Sequence, residues 1–503
     1  MQLTEERVKV LYAKYKRKAE IAFHKHHYDD CLMYIKAAAH TGYNFYLGYK
    51  DENLEEMLVN VSKALTLSPD QPNRKDDVCV FYDSFSIDNG GLVQQYLGAI
   101  ISAGYKILYI TEKVGFATRS SAIKSILEEY GKVEIVEIPH KLSYFKTSQF
   151  IYDTIIRSSA KKLFMQTGPS SASAIAAINA LPKSIVKYKI NLTDHTFWIG
   201  ARRIDYSLEF RPFGCVLSYT YRGIPKEKVF LMQFYPIMNH SAFQGYPKEA
   251  EGKVVIFSGG AYYKIYDKED TYFKIAKAIL DVCKNAVILF AGTGNRKALD
   301  QKLTEYGIID RFIPIGQRTD ITEVFEHCDI YLNTYPFGGG LMSQYAAQLS
   351  KPIVNYSSKV TAKVEELVCQ VKQMNLSDIT IKALSNRVQQ LVADKKYRKE
   401  YGAKIHDCAL TSEYFNQLFV TCMSTNMNAK PYSDDVSFEE HTMDIKDKLD
   451  FENKNFNFHR RIIKVFGWRA LVDSPDFLFV SICAVLREKR LFMALLNKIK
   501  YGE

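Results

Sequence analysis

The feature that most constrains this chain is a repeated alternation of short apolar runs with helix-length segments between residues 76 and 425. Short apolar runs separated in this way are typical of strands in a parallel, doubly wound sheet, because helices cover both faces of such a sheet. The series occurs twice. We therefore predict two tandem α/β domains, at residues 76–245 and 246–425.

The strand candidates of the first series are VCVFYDS, KILYIT, VEIVEIP and KKLFMQTG, followed by KYKINLTDHTFWIG. Those of the second series are KVVIFSGG, AVILFAGTG, RFIPIG, DIYLNTYPFGGG and PIVNYSS. Two Rossmann-like sheets in tandem place the carboxyl ends of their strands around one cleft, where open α/β sheets bind ligands. The predicted fold class is α/β, with a helical N-terminal extension and a helical C-terminal tail.

Helical segments are expected at both ends of the chain. Residues 1–75 carry apolar residues at helical spacing and resemble a tetratricopeptide-type helix pair that caps the next domain. Residues 426–503 begin as an acidic, irregular stretch and end in two basic, apolar helix candidates. A basic amphipathic helix with aromatic residues either lies in a membrane interface or packs across the domains. Both alternatives stay open for residues 460–503.

Charge and cysteine usage narrow the class of protein. A net charge of +11 fits nucleic acid, an anionic membrane surface or a nucleotide diphosphate as partner. No nucleic-acid-binding signature is present, so we expect no nucleic-acid partner. The nine cysteines form no CxxC pair, which supports neither a disulfide framework nor a zinc site. With no signal peptide and no apolar run of about 20 residues, we predict a protein of the cytoplasm or the cytosolic membrane face.

Two glycine-rich segments follow predicted strands of the second domain. Gly259 and Gly260 end its first strand, and Lys264 lies on the loop that follows. Gly338–Gly340 separate a buried strand from a helix, whose first N–H groups suit a phosphate. A lysine facing a cleft can neutralise a diphosphate leaving group. The alternatives are a surface lysine and a flexible loop.

The first domain carries two further candidate segments. Asn89, Gly90 and Gly91 follow its first strand as an acceptor or phosphate loop, although they do not match GxGxxG and also fit an ordinary tight turn. Asp194 and His195 end a later strand. A histidine oriented by a carboxylate can act as a general base, and the alternative is a structural histidine.

Trp198 lies close to His195 in the sequence, and its indole suits stacking on a sugar. The alternative is a tryptophan of the hydrophobic core, since large aromatic residues are mostly buried. The sequence leaves both interpretations open.

Over residues 255–355 the chain resembles the catalytic half of the O-GlcNAc transferase family and its bacterial relatives. YYKIYDKED resembles the family segment in which a lysine contacts the donor diphosphate, which implies that role for Lys264. RFIPIGQRTDITEVFEHCDIYLNTYPFGGG resembles the stretch that leads from the nucleotide base to the phosphate loop. It implies base contacts for Gln317 and Arg318. It also implies phosphate contacts for Gly339, Gly340, Leu341 and Met342.

The chain departs from the family at the phosphate loop. Gly340–Met342 replace the His-Thr-Thr of the family, so backbone groups must replace hydroxyl contacts. The family's acidic ribose ligand falls at Tyr345, which leaves ribose recognition to Ser343 or Gln344. Many retaining GT-B enzymes carry two glutamates, which fall at Phe337 and Tyr345 here, and their absence favours inversion.

The resemblance implies a GT-B glycosyltransferase that moves a sugar from a nucleotide-diphosphate donor, expected to be UDP-linked, to a glycan, lipid-linked or protein acceptor. Lys264 and the glycine loop would supply positive potential in place of a divalent ion. No metal and no cofactor besides the nucleotide sugar are therefore expected. A role in bacterial glycan biosynthesis is implied by the resemblance alone. A non-catalytic GT-B partner subunit and a UDP-GlcNAc 2-epimerase-like enzyme remain the alternatives.

Overall fold

The computed structural model describes residues 2–86, 91–112, 120–357, 364–368, 375–430, 432, 448–450, 452–453, 457–479 and 482. The described strands form two parallel sheets, and each sheet has a hydrophobic core on both faces. Helices precede the first sheet and follow the second. The predicted fold class of two tandem α/β domains with helical segments at both ends is confirmed.

The N-terminal extension forms three helices. They are α1 (Glu5–His24), α2 (Tyr28–Asn44) and α3 (Glu52–Ser62). The side chain of Thr4 accepts a hydrogen bond from the Arg7 N–H at the start of α1, and Asp51 does the same for two N–H groups of α3. Both residues are N-caps that satisfy N–H groups left without an intrahelical partner. The apolar faces of the three helices share one core with the first domain.

The first domain contains a seven-stranded sheet in the order β3-β2-β1-β4-β5-β6-β7. Its strands are β1 (Lys75–Asp83), β2 (Lys106–Thr111), β3 (Val133–Glu137), β4 (Ala160–Gln166), β5 (Val186–Asn191), β6 (Tyr206–Glu209) and β7 (Val229–Leu231). Its described helices are α4 (Leu92–Ser102), α5 (Ser121–Tyr130), α6 (Tyr144–Arg157), α7 (Ala172–Ala180) and α8 (Pro212–Thr220). The strand order reverses between β1 and β4, which is the topological switch point.

The second domain repeats this topology with six strands in the order β10-β9-β8-β11-β12-β13. They are β8 (Val254–Gly259), β9 (Ala286–Ala291), β10 (Phe312–Gly316), β11 (Ile330–Leu332), β12 (Ile353–Tyr356) and β13 (Ser377–Asp378). The described helices are α9 (Thr271–Val282), α10 (Arg296–Glu305), α11 (Ile321–His327), α12 (Gly340–Gln348), α13 (Glu365–Val368), α14 (Ile381–Ala393) and α15 (Lys395–Asp407). Its switch point lies between β8 and β11.

One helix crosses back from the second domain to the first. This helix, α16 (Ser412–Thr425), falls within the predicted second domain, but its apolar face packs on the first sheet. Phe415 and Phe419 contact the buried ring of Tyr96, and Phe419 also contacts Phe164 of β4. The chain therefore links the two domains at α16 as well as at the segment between β7 and β8.

The described part of the tail packs on the N-terminal extension. It includes α17 (Asn457–Phe466) and α18 (Ala470–Asp473). The ring of Phe458 meets that of Phe45 edge to face, at 4.7 Å between centroids. Arg461 donates a hydrogen bond to the Asn44 side chain, at 3.0 Å. The described part of the tail therefore packs on the extension. Membrane contact through residues 460–503 stays a prediction, and residues 480–481 and 483–503 lie outside the described residues.

None of the helices in the described part of the chain is both long and apolar enough to span a bilayer.

A buried carboxylate fastens the N-terminal extension to the first domain. Glu55 of α3 is fully buried and accepts hydrogen bonds from the backbone N–H groups of Gly200, Ala201 and Arg202, at 2.7, 3.2 and 3.1 Å. Burial raises the pKa of this carboxyl group, and the three N–H groups act in the opposite direction. Gly200 has a φ of 106°, a conformation that favours glycine.

We expect Glu55→Ala to lower the free energy of unfolding by about 2–4 kcal/mol, because it leaves buried N–H groups without an acceptor. Glu55→Gln retains one acceptor oxygen and should cost less. Urea denaturation of the full chain measures both effects. The neighbouring Glu56 is exposed, so Glu56→Ala should change stability by less than about 0.5 kcal/mol. Equal losses for Glu55→Ala and Glu56→Ala would contradict the role assigned to Glu55.

Docking of the tail is expected to weaken in mild acid because of His40. Its ring stacks on Phe458, and its Nε2 accepts a hydrogen bond from the Asn44 amide. Burial lowers the pKa of His40 to about 3, below the ordinary value of 6.5. Between these two pH values only the unfolded state takes up a proton at His40. The contribution of neutral His40 to the free energy of unfolding is therefore complete above pH 6.5 and is lost as the pH falls.

We expect His40 to contribute a slope of up to about 1.4 kcal/mol per pH unit to the free energy of unfolding below pH 6.5. Urea denaturation between pH 7.5 and pH 5 measures it. His40→Gln should remove this part of the slope while keeping a polar side chain. The assignment is wrong if the variant and the parent chain show the same pH dependence.

Candidate functional site

The switch point of the second sheet brings two predicted segments together. β8 and β11 are neighbours, with Tyr331 paired to Phe257. The loop after β8 carries Gly260 and Lys264, and the loop after β11 leads to Gly338–Gly340. Because parallel strands end at the same edge of a sheet, these two loops lie side by side.

Lys264 lies on a 3₁₀ turn, Tyr262–Ile265, directly against the glycine loop. Its backbone carbonyl accepts a hydrogen bond from the Phe337 N–H at 3.4 Å, and the rings of Tyr263 and Phe337 meet at 5.8 Å. The side chain is half-buried, and this burial lowers the pKa of its amine. Among the described residues its Nζ has no hydrogen-bond or ion-pair partner. The amine is therefore a partly desolvated cation that remains open to an anionic ligand.

Glycine is needed where the loops after β8 and β9 approach each other. A Cβ at Gly292 would lie 1.9 Å from the Gly260 carbonyl oxygen, which no side chain tolerates. Gly260 has a φ of 150°, and a Cβ there would lie 3.1 Å from the Lys264 Cδ. Gly292 therefore lets the loop after β9 approach the backbone of Gly260, and Gly260 leaves room for the Lys264 side chain. Gly259, the last residue of β8, would contact Met342 if it had a Cβ.

A buried amide shapes the glycine loop. Asn333 directly follows β11, and its Oδ1 accepts hydrogen bonds from the Gly339 N–H at 2.8 Å and the Thr334 N–H at 3.0 Å. Its Nδ2 donates to Asn355 at 2.9 Å. The sequence analysis did not single out Asn333. An amide residue between a buried strand and a glycine run was the available signal.

The start of α12 presents backbone donors beside this loop. The first backbone bond of the helix runs from the Ser343 N–H to the Gly339 carbonyl, at 2.9 Å. The N–H groups of Gly340, Leu341 and Met342 precede it and cannot bond within the helix. These are the backbone groups to which the resemblance assigned phosphate contacts, and the helix dipole adds positive potential there.

The next residues of α12 bond within the protein. The Ser343 hydroxyl is fully buried and donates to the Gly339 carbonyl. The Gln344 amide donates to the carbonyls of Phe234 and Leu367, at 2.7 and 2.9 Å. The Tyr345 hydroxyl donates to the Ile237 carbonyl at 2.6 Å. Ser343 and Gln344, the predicted ribose ligands, and Tyr345 thus form hydrogen bonds within the protein. Those of Gln344 and Tyr345 hold the segment that joins the domains.

Arg318 also bonds within the protein. Its guanidinium forms two hydrogen bonds with Asp320, at 2.7 and 2.6 Å, and donates to the Gly245 carbonyl at 2.8 Å. The hydrogen bonds from Arg318 lower the pKa of Asp320 to about 2. The arginine therefore fixes the interdomain linker. Gln317 is exposed beside it.

In the first domain, Asp194 and His195 follow β5 and form a pair at 3.3 Å between Asp194 Oδ1 and His195 Nδ1. Asp194 is fully buried and also receives two hydrogen bonds from Arg211, at 2.5 and 2.8 Å. Burial alone would raise the pKa of Asp194, but Arg211 outweighs it and holds that pKa well below its usual range. The His195 side chain is 40% exposed. The contact at Nδ1 leaves Nε2 for a ligand.

Trp198 lies in the core rather than at a ligand surface. Its side chain is 1% exposed, and Lys189 and Arg222 lie over its ring at 5.4 and 5.0 Å. A fully buried ring cannot stack on a sugar, so the core interpretation of Trp198 applies. Sequence spacing placed it near His195 but could not show which way the ring points.

The first-domain glycine loop is described only at its end. The Gly91 N–H donates to the Gln94 side chain at 3.1 Å, at the start of α4. Asn89 and Gly90 lie outside the described residues. Their predicted role as an acceptor or phosphate loop stays a prediction.

The two domains also meet beside Asp194 and Arg211. The Phe213 N–H donates to the Glu366 carboxylate of α13 at 3.3 Å, and the Gln233 amide donates to the Glu366 carbonyl at 2.6 Å. Burial lowers the pKa of Arg211, but the Asp194 carboxylate raises it by more, and the carboxylate of Glu366 adds to that increase. The Asp194–His195 pair of the first domain therefore lies close to a contact between the two domains.

No protein-family model matches the chain, and no curated protein matches its sequence. Among solved structures, HepE of Anabaena in complex with UDP and glucose is similar, with a TM-score of 0.51 and 14% sequence identity over 69% of this chain and 99% of HepE. A mutant O-GlcNAc transferase of Thermobaculum terrenum has a TM-score of 0.50 and 14% identity, over 83% of this chain and 82% of that protein.

A glycosyltransferase of Rickettsia africae has a TM-score of 0.52 and 9% identity, over 70% of this chain and 98% of its own. These structural neighbours are GT-B glycosyltransferases. At such low identities the similarity establishes the fold. The expectation of a GT-B fold, which came from the resemblance of the second domain, is confirmed.

We expect Asn333→Ala to destabilise the glycine loop, because the N–H groups of Gly339 and Thr334 lose their acceptor. The free energy of unfolding should fall by about 1–3 kcal/mol, and the Gly339 amide should exchange its hydrogen faster. Thr380→Ala is a matched control, since it removes one helix-capping bond at the distant α14, worth about 1 kcal/mol. Unchanged exchange at Gly339 in Asn333→Ala would contradict this role.

Proposed function

We propose that this chain is a glycosyltransferase that moves a sugar from a UDP-linked donor to a glycan, lipid-linked or protein acceptor with inversion at the anomeric carbon. The observation that carries the proposal is the half-buried amine of Lys264, which has no partner among the described residues and lies beside the first N–H groups of α12. Together they form a cationic site at the carboxyl edge of a parallel sheet, where a diphosphate binds.

Glycosyl transfer demands such a site because negative charge develops on the leaving diphosphate as the glycosidic bond breaks. Burial of Lys264 removes water that would screen its charge, so its attraction for the diphosphate is strengthened. The glycines at 338–340 let the backbone approach the phosphates without steric conflict. A fixed lysine and helix dipole thereby replace a divalent ion, and we propose a metal-independent reaction.

The fold supports this proposal. HepE was crystallised with UDP and glucose, and the neighbours from Thermobaculum terrenum and Rickettsia africae are transferases. In this chain the donor would lie on the second domain, at Lys264 and Gly338–Met342. Gln317 would lie at the base. The acceptor would lie on the first domain.

His195 is the proposed general base. Its Nδ1–H donates to Asp194, which Arg211 keeps ionised, so Nε2 carries the lone pair that accepts a proton. The acceptor hydroxyl transfers its proton to Nε2 while its oxygen attacks the anomeric carbon. The bond between that carbon and the diphosphate oxygen breaks on the opposite face, and UDP leaves with the electron pair.

A non-catalytic GT-B partner subunit is the second candidate. One observation favours it: Gln344 and Tyr345 donate to backbone carbonyls of the interdomain segment, at the positions where the resemblance implies ribose recognition. Such a subunit would keep the fold and the interdomain contacts without turnover. Hydrolysis or transfer of a UDP-sugar by the purified chain separates the two candidates.

We expect Lys264→Ala to weaken UDP binding and to lower turnover of a UDP-sugar by about 100-fold or more, because it removes charge from the leaving diphosphate. Titration calorimetry with UDP and hydrolysis of UDP-glucose and UDP-GlcNAc measure this. The exposed Lys268 lies on the same loop, and Lys268→Ala is the matched control that should leave both unchanged. Added EDTA should leave the rate unchanged. Loss of the rate in EDTA would contradict metal independence.

We expect His195→Ala to lower transfer by about 10²–10⁴-fold while leaving UDP affinity unchanged, because the base acts on the acceptor and not on the donor. Transfer from the same donors in the presence of acceptor measures it. The enzyme assignment fails if UDP does not bind and neither Lys264→Ala nor His195→Ala has an effect.

A further inference from the structure

A buried arginine holds the backbone on both sides of His195. Arg222 follows α8 in the chain and is 1% exposed. Its Nη2 donates hydrogen bonds to the carbonyl oxygens of Asp194 and Thr196, at 2.6 and 2.8 Å. These two residues flank His195, so one guanidinium nitrogen fixes the direction of the backbone before and after the candidate base.

Two aromatic rings lie against the Arg222 guanidinium. Its Cζ is 5.0 Å from the centroid of the Trp198 ring and 5.3 Å from that of Tyr49. Such cation–π contacts are stronger when the cation is removed from water, and they suit the planar face of a guanidinium. Trp198, which suited sugar stacking by residue type, thus contacts the group that holds the backbone at His195.

The charge of Arg222 is balanced inside the first domain. Glu209, at the end of β6, is fully buried, and its carboxylate accepts hydrogen bonds from Ser207 and Ser218 at 2.7 and 2.5 Å. Burial lowers the pKa of Arg222 to about 10, while the carboxylates of Glu209 and Asp194 act in the opposite direction. The guanidinium therefore stays protonated at neutral pH, where its bonds to carbonyls are strengthened by the charge.

The ring of His195 depends on this backbone for its direction. Its side chain is 40% exposed, and its Nδ1 lies 3.3 Å from the Asp194 carboxylate, slightly beyond the usual length of a hydrogen bond. A partly exposed ring with so long a contact is aimed mainly by the backbone that carries it. Misplacing a reacting group by about 1 Å can lower a rate by about 100-fold.

We propose that Arg222 is a positioning residue for His195. By holding the carbonyls on both sides of this histidine, it keeps Nδ1 of the ring at the Asp194 carboxylate and leaves Nε2 for the acceptor hydroxyl. Arg222 acts through the backbone, because a fully buried group cannot touch the acceptor. The inference rests on the proposed function for the role of His195 as the base.

Arg222→Lys tests this role, because lysine keeps the positive charge but lacks the planar fork and the flat face of the guanidinium. Arg398→Lys is the matched control. Arg398 is 8% exposed and donates to two backbone carbonyls near the end of α14 in the second domain, at 2.6 and 3.3 Å. Both substitutions remove the same kind of contact from a buried arginine, but only Arg222→Lys should affect His195.

Nitrogen-15 NMR of the histidine rings measures the position of the proton on neutral His195, and His195→Ala assigns its signals. We expect the parent chain to hold the proton on Nδ1. In Arg222→Lys the proton should be shared between Nδ1 and Nε2, so the separation between the two nitrogen shifts should shrink. Arg398→Lys should keep the shifts of the parent chain.

Sugar transfer from UDP-glucose or UDP-GlcNAc gives a second readout. Arg222→Lys should lower kcat by about 10–100-fold, because the base is no longer aimed at the acceptor. The KM of the donor and the affinity for UDP should not change, since the proposed donor site lies on the second domain. Circular dichroism establishes that each variant is folded.

The positioning role is overturned if folded Arg222→Lys keeps the proton of His195 on Nδ1, or if Arg398→Lys displaces it equally. If Arg222→Lys does not fold, Arg222→Met combined with Glu209→Gln replaces it, because this pair removes both buried charges. A parent chain in which both nitrogens of His195 share the proton overturns the role without any variant.

Failure of the proposed function has a different signature. A shared proton in Arg222→Lys with an unchanged transfer rate contradicts His195 as the base and not its placement by Arg222. If UDP does not bind and no sugar is transferred, the proposed function fails, while the NMR signals of His195 still decide the role of Arg222.

Discussion

The Glu55 carboxylate is the buried polar contact that fastens the N-terminal helices to the first domain. It draws three backbone N–H groups of residues 200–202 onto α3, and α3 belongs to the same core as α1 and α2. The tail packs on α1 and α2, so its position depends on the same attachment. The segment from Asp194 to Arg202 carries the candidate base and is held between β5 and α3. One buried acceptor thus positions a helical layer and a functional loop together.

Charged groups in the described cleft region divide into paired and unpaired sets. Asp194 and Arg211 neutralise each other at the candidate base, and Arg318 and Asp320 do so at the linker. Buried charges are tolerated when they are paired and hydrogen-bonded, and such pairs serve geometry more than ligand binding. Lys264 differs because its amine is partly desolvated and has no partner in the part of the chain that the structure describes. This contrast is why the donor site is proposed at Lys264 and not at Arg318.

Helix α12 connects the proposed donor site to the arrangement of the domains. Its first turn presents backbone N–H groups at the glycine loop, while Gln344 and Tyr345 of the next residues bond to carbonyls of Phe234 and Ile237. A ligand at the first turn would therefore act on the helix that also holds the interdomain segment. The proposed ligand-binding N–H groups lie at the N-terminal end of this helix, and the side chains that hold the interdomain segment follow directly after them.

Much of this protein was determined by its sequence alone. Apolar runs alternating with helices predicted two parallel sheets, and the glycine segments predicted neighbouring loops at Lys264 and Gly338–Gly340, because parallel strands end at one edge. Only the tertiary structure decided which polar side chains remain open to a ligand. Arg318, Gln344 and Trp198 suited a site by residue type, but distant backbone carbonyls engage the first two and a hydrophobic core encloses the third. Burial and pairing arise from contacts between residues far apart in the chain, which local spacing does not contain.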